Sequence, residues 1–117
     1  MIYNETVAMR VREYLIHMHD VVEKPMFKSL CFMVDGKMLL CVGKDELMCR
    51  IDPNEYDAVI KKEGCQPMIH NGKLMKGYIY IKNEYIQKQK DFEYWMNLSL
   101  EFNKIAKVYK RKKAKIN

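Results

Sequence analysis

The spacing of apolar residues changes several times along the chain, and each change predicts an element. Over residues 4–20 and just beyond, Val7, Val11, Tyr14, Leu15, Met18 and Val22 recur at steps of three and four, one apolar stripe on a helix. Asn4 or Thr6 is placed to cap that helix, and Glu5 suits the positive end of its dipole. Pro25 stops helical continuation and leads into an extended segment. Residues 30–34 and 37–42 are apolar runs split by Asp35-Gly36, a two-residue signal for a type I′ hairpin. A regular ladder on that turn opposes Val34 to Lys37, Phe32 to Leu39 and Leu30 to Cys41. A third run, 47–51, follows Gly43-Lys44-Asp45 and extends the meander.

Beyond the meander, Asp52-Pro53 reads as an N-cap followed by proline at the first helical position, where its missing N–H costs nothing. The helix so begun carries Tyr56, Val59 and Ile60 and stops at Gly64. Residues 66–81 read as a loop or short strand around Pro67-Met68, a turn at Asn71-Gly72 and a strand over 78–81. A last helix starts at Asn83 or Asp91 and runs to Lys110, with Trp95, Leu98, Phe102, Ile105 and Tyr109 as its stripe. The predicted class is α+β. An antiparallel sheet, a three-strand meander plus one or two further strands, carries N-terminal, middle and long C-terminal helices packed against it.

The length of 117 residues suits one domain, and a 49% hydrophobic content supplies a continuous core. No eighteen apolar residues run together, so a membrane is not an expected partner. Charges in the first twenty residues interrupt any secretory signal, and a cytoplasmic location is expected. The net charge of +6 is unevenly placed. Residues 1–103 hold 14 basic against 15 acidic side chains, whereas residues 104–117 hold seven basic and no acidic ones. The chain therefore divides into a near-neutral body, residues 1–109, and a basic tail, residues 110–117.

Candidate chemistry is sparse. Cys31, Cys41, Cys49 and Cys65 form no Cys-x-x-Cys pair and stand at no zinc spacing from a histidine, so four reduced, mostly buried thiols are expected. His17 and His19, two apart on a helix, point to different sides and do not chelate together. Gly72 to Gly77 is no phosphate loop, because Lys73 follows the first glycine, no Ser or Thr comes next, and a strand rather than a helix follows. Arg50 and Lys73 are candidates for an anion or interaction site, though an ion pair of Arg50 with Asp52 or Glu55 is the commoner arrangement. Of ten methionines, Met26, Met33, Met38, Met68 and Met75 fill the core by default or line an adaptable contact surface, for which Met26, Met68 and Met75 are the site candidates. Lys110, Arg111, Lys112, Lys113 and Lys115 form a candidate nucleic-acid-binding arm, weak and indifferent to base sequence. No cofactor is expected, since no glycine-rich cofactor turn is present.

Several short strings in a fixed order resemble the TfoX N-terminal domain family. They are Met26-Phe27; Phe32 with Val34-Asp35-Gly36-Lys37; Leu47 with Cys49-Arg50-Ile51-Asp52-Pro53; Gly64 with Gln66-Pro67-Met68; Gly72-Lys73-Leu74-Met75-Lys76-Gly77-Tyr78; and the helix around Trp95. They span residues 5–107. Where the family usually has two glycines after its Met-Phe pair, this chain has Lys28-Ser29. The resemblance implies a fold shared with bacterial regulators of natural competence, without room for their second domain. A non-enzymatic regulatory or protein-interaction module is expected, with a homodimer as one arrangement. The alternative is an auxiliary nucleic-acid binder that uses its basic tail.

Overall fold

The computed structural model describes residues 2–26 and 28–106. Helix α1 (Glu5–Tyr14) is capped by Asn4, whose Oδ1 accepts the Val7 amide at 3.0 Å. It ends well before the predicted residue 20. Past Leu15 the stripe has nothing to cover, and Ile16 is 71% exposed. The chain reverses instead through Asp20, at φ 54°, into β1 (Val21–Met26). Met18 and Val22 continued the helical spacing by coincidence across a helix–strand boundary. His17 and His19 lie outside the helix, both exposed.

Strands β2 (Ser29–Val34), β3 (Lys37–Val42) and β4 (Glu46–Arg50) form the predicted meander. A short 3-10 turn and a single helical turn, α2 (Tyr56–Val59), follow the Asp52 cap, whose carboxylate accepts the Asn54 amide at 2.9 Å. Gly64, at φ +85°, then redirects the chain into β5 (Cys65–His70), a full strand where a loop or short one was expected. The Asn71-Gly72 turn returns it along β6 (Lys73–Lys82), longer than predicted. Helix α3 (Gln89–Ile105) closes the described part, with a 3-10 turn at Asn83–Tyr85 in place of the earlier of its two predicted starts. Its predicted end at Lys110, Tyr109 of its stripe and the basic tail lie outside the described residues.

The six strands form one open antiparallel sheet in the order β1-β2-β3-β4-β6-β5. All three helices serve one face. Val7 and Val11 of α1, Leu15 just past its end, and Phe92, Trp95 and Met96 of α3 pack on Leu30, Phe32, Val34, Leu40, Val42, Leu47, Cys49, Ile79 and Ile81. Ile105, predicted to belong to the stripe of α3, is 69% exposed beyond the sheet.

The β2–β3 hairpin departs from the regular ladder in a way that matters below. Its turn is of the expected type, with Asp35 at φ 54° and Gly36 at φ 78°, and Val34 opposes Lys37. Between Phe32 and Met33 the register shifts, so that Phe32 faces Leu40, Cys31 faces Cys41 and Leu30 faces Val42. Leu39 is the extra residue of a β-bulge, and it and Leu40 both enter the helix-side core. The regular pairing placed Phe32 against Leu39 and Leu30 against Cys41. That pairing sends Cys41 into the core and turns Val42 out of it, a loss of apolar burial that the bulge avoids.

Candidate functional site

Alternation along the strands leaves every second side chain on the sheet face that no helix among the described residues serves. Cys31, Cys41 and Met48 form a second cluster there, with Met38, Met68, Tyr78 and Tyr80 packed around it. These residues, apart from Tyr78, line a groove of about 810 Å³ that Met26 and Ile2 extend. Lys28, Ser29, Lys44, Asp45 and Glu46 also border it, so its floor is sulfur and aromatic ring and much of its border is polar. None of the three helices contributes a residue to it.

Two of the four cysteines are not free thiols. Cys31 and Cys41 stand directly opposite each other, Cα to Cα 4.0 Å, and are joined by a disulfide. The expectation of four thiols failed because it rested on sequence spacing, whereas the bulge brings these two side chains together on one face. Cys49 and Cys65 are free. Burial pushes the Cys49 thiol up to about 12 and the half-buried Cys65 thiol up to about 11, with Lys62 pulling Cys65 the other way. Both are held in the protonated, unreactive form at neutral pH. Sulfur contacts continue outward from the disulfide. Met26 Sδ lies 3.8 Å from Cys31 Sγ, and Met38 Sδ lies 3.9 Å from Cys41 Sγ.

The family model of the TfoX N-terminal domain matches residues 13–103, from inside α1 to near the end of α3, and takes in all six strands. The chain belongs to the TfoX N-terminal domain family. No curated protein matches it. Among solved structures, a crystal structure of a protein from Pseudomonas syringae is similar in fold, with a TM-score of 0.59 and 13% identity, over 81% of this chain and 97% of that one.

In this TfoX domain the candidate residues named from sequence scatter. Met26 and Met68 line the groove, whereas Met75, half-buried on β6, does not. Arg50 makes no ion pair with Asp52 or Glu55 among the described residues; its guanidinium lies 5.4 Å over the Phe102 ring of α3, and the Asp52 carboxylate is occupied as a cap. Lys73 is exposed beside the Asn71-Gly72 turn, opposite His70. Lys110, Arg111, Lys112, Lys113 and Lys115 lie outside the described residues. Ser29, one of the two residues replacing the family's glycines, donates its Oγ–H to the Met26 carbonyl at 3.1 Å and so ties the start of β2 back to the end of β1. The groove residues missed from sequence were Cys31, Cys41, Met48 and Tyr80. Cys31 stands between Leu30 and Phe32, and Cys41 between Leu40 and Val42; a smaller residue between two large core residues marks the lighter face of a strand.

Proposed function

We propose that this TfoX domain is a non-enzymatic regulatory module that binds a protein partner through its open sheet face. One observation carries the reading: a strand face of methionine, tyrosine and cystine lies outside the helical layer, bordered by charge. Methionine adapts its shape to a partner at little cost, and contiguous apolar surface of this kind is characteristic of contact sites. A second copy of the chain is one candidate partner. Kinship with the TfoX domain makes a bacterial cytoplasmic regulator, related to those of competence, the setting in which to look.

The test is a photo-crosslinking amino acid placed at Met68, on the groove, and in a separate variant at Tyr94, on the helical side. Discrete crosslinked products from the Met68 position alone, dimeric or with another protein, are the expected result, and Met48→Lys should abolish them. Equal labelling from Tyr94, or products unaffected by Met48→Lys, would overturn the reading. A second reading is favoured by the charge distribution, seven basic and no acidic residues over 104–117. It makes the chain an auxiliary nucleic-acid binder. Anisotropy titrations of DNA and RNA should then show affinity that falls steeply with salt and disappears on truncation after Ala106. Absence of binding at low salt removes that reading.

A further inference from the structure

We propose that the Cys31–Cys41 bond is a reversible redox switch that sets the shape of the groove floor, opened by a dithiol and closed again by exchange with a small disulfide. What the switch governs rests on the partner reading; the switch itself belongs to the isolated chain.

The position of the bond carries the inference. Cys31 and Cys41 oppose each other on the face that no helix among the described residues covers. Across the strands, Lys24 of β1 stands opposite Cys31 and Met48 of β4 stands opposite Cys41. Along the strands, Met26, opposite Ser29, and Met38, opposite Met33, flank the pair from its two ends. Their Sδ atoms touch it, at 3.8 Å from Cys31 Sγ and 3.9 Å from Cys41 Sγ. Opening the bond adds two hydrogens to this packed floor and frees both cysteine side chains to rotate. Met26, Met38 and Met48 must then repack. Three rotatable bonds let a methionine do so without moving its backbone.

The fold does not depend on the bond. It joins strands that already pair through the ladder and the Asp35-Gly36 turn, and its two ends are only ten residues apart. Leu30, Phe32, Leu40 and Val42 turn to the other face and keep their packing under the helices. Reduction therefore alters one face and leaves the other in place. Cys31 is 1% exposed and Cys41 6%, so Cys41 is the sulfur that a reagent meets first, beneath movable thioether side chains. Cys49 and Cys65 lie on the helical face, where neither can reshuffle with the pair. In the cytoplasmic setting proposed above, a bond of this kind acts in exchange rather than as a permanent link.

The exchange balances in two steps. A thiolate of the dithiol attacks Cys41 Sγ, and Cys31 leaves as a thiolate and takes up a proton. The reagent's second thiolate then attacks its own sulfur in the mixed disulfide and frees Cys41, which takes up the second proton. Two electrons and two protons enter the protein, and the reagent leaves as a cyclic disulfide. A small disulfide reverses the change by the same kind of attack and departs as two small thiols.

The test follows the methionine methyl groups of the whole chain, labelled with carbon-13, by NMR as dithiothreitol and then oxidised glutathione are added. The signals of Met26, Met38 and Met48 should move on reduction and return on reoxidation. Those of Met9, exposed on α1, and Met96, in the core, should stay in place. The rate of reduction should be proportional to thiolate concentration and nearly flat in low urea, since attack goes through the native groove. Attack that waited for global unfolding would instead quicken about tenfold per molar urea. Cys31→Ser combined with Cys41→Ser, which has no bond to open, should answer neither reagent. A steep urea dependence, loss of the native spectrum on reduction, unmoved signals at Met26, Met38 and Met48, or failure of those signals to return would each overturn the proposal. A silent crosslinker at Met68 would remove the partner reading and leave these results standing.

Discussion

At the scale of single residues, Gly64 is the position least open to change. Its φ of +85° is unfavourable for any side chain, and a Cβ there would stand 2.3 Å from the Tyr85 ring. Gly64→Ala should cost about 2 kcal/mol or more, read as a shift of the urea midpoint with unchanged slope. This residue was legible as a helix stop, since glycine so often follows a helix end; the ring that closes over it was not, because Tyr85 is distant in sequence. The cysteines give a second residue-scale prediction. With Cys49 near 12 and Cys65 near 11, both thiols are protonated at pH 8, and only about 0.1% of Cys65 is thiolate there. Thiol titration of the unreduced protein should find no fast-reacting group at pH 8. Modification of Cys65 should quicken as pH rises toward 11. Two thiols should appear on denaturation and four after reduction.

Between elements, the tip of the β2–β3 hairpin is fastened to the end of α3. The buried Asn103 donates its Nδ2–H to the Val34 carbonyl at 3.3 Å, and its own carbonyl accepts from Lys37 Nζ at 2.6 Å. Asn103→Ala should cost about 1 kcal/mol, because it removes a buried hydrogen bond between the helix end and the hairpin, and chemical denaturation measures it. Edge strand β1 is held to α1 by a two-toothed pair of Arg12 with Glu23, at 2.7 and 2.9 Å. Hydrogen bonding from Arg12 lowers the Glu23 carboxyl below its usual value. Its contribution is therefore present above the unfolded carboxyl range and is lost as pH falls through the lowered value. Both side chains are partly exposed, so Glu23→Gln should cost less than about 1 kcal/mol at pH 7, and the gap between the two proteins should close in acid. The elements most legible in sequence were those with a local signature: the Asp35-Gly36 and Asn71-Gly72 turns and the Asn4 and Asp52 caps. The stripe expected on α3 was displaced, since its buried face runs through Phe92, Trp95, Met96, Ser99 and Asn103, with Leu98 and Phe102 half-buried at its flank and Ile105 exposed. Strand β1 hid inside a run that kept helical spacing, and β5 hid because Gln66, Pro67 and His70 give an edge strand little apolar alternation.

For the molecule as a whole, the sheet has one face packed by helices and one that no helix among the described residues covers. The disulfide ties the latter across its middle. Closing a loop of this size stabilises the folded chain by about 3 kcal/mol in a chain-entropy account, and reduction should lower the melting temperature accordingly, read by calorimetry with and without dithiothreitol. The two-layer architecture followed from periodicity together with the turn and cap signals that divide the strands and helices. The groove did not, because residues 38–42 are apolar without interruption and alternation cannot show which of them face which way. Leu39 decided that. Since it stands outside the ladder, a relative lacking this one residue would keep every partnership between 30 and 34 on one strand and 37, 38 and 40–42 on the other. An alignment would show such a relative with a gap in mid-strand, where gaps are ordinarily disallowed, although the two chains would have the same paired face. In this chain Leu39 therefore adds volume to the core without adding a rung to the ladder.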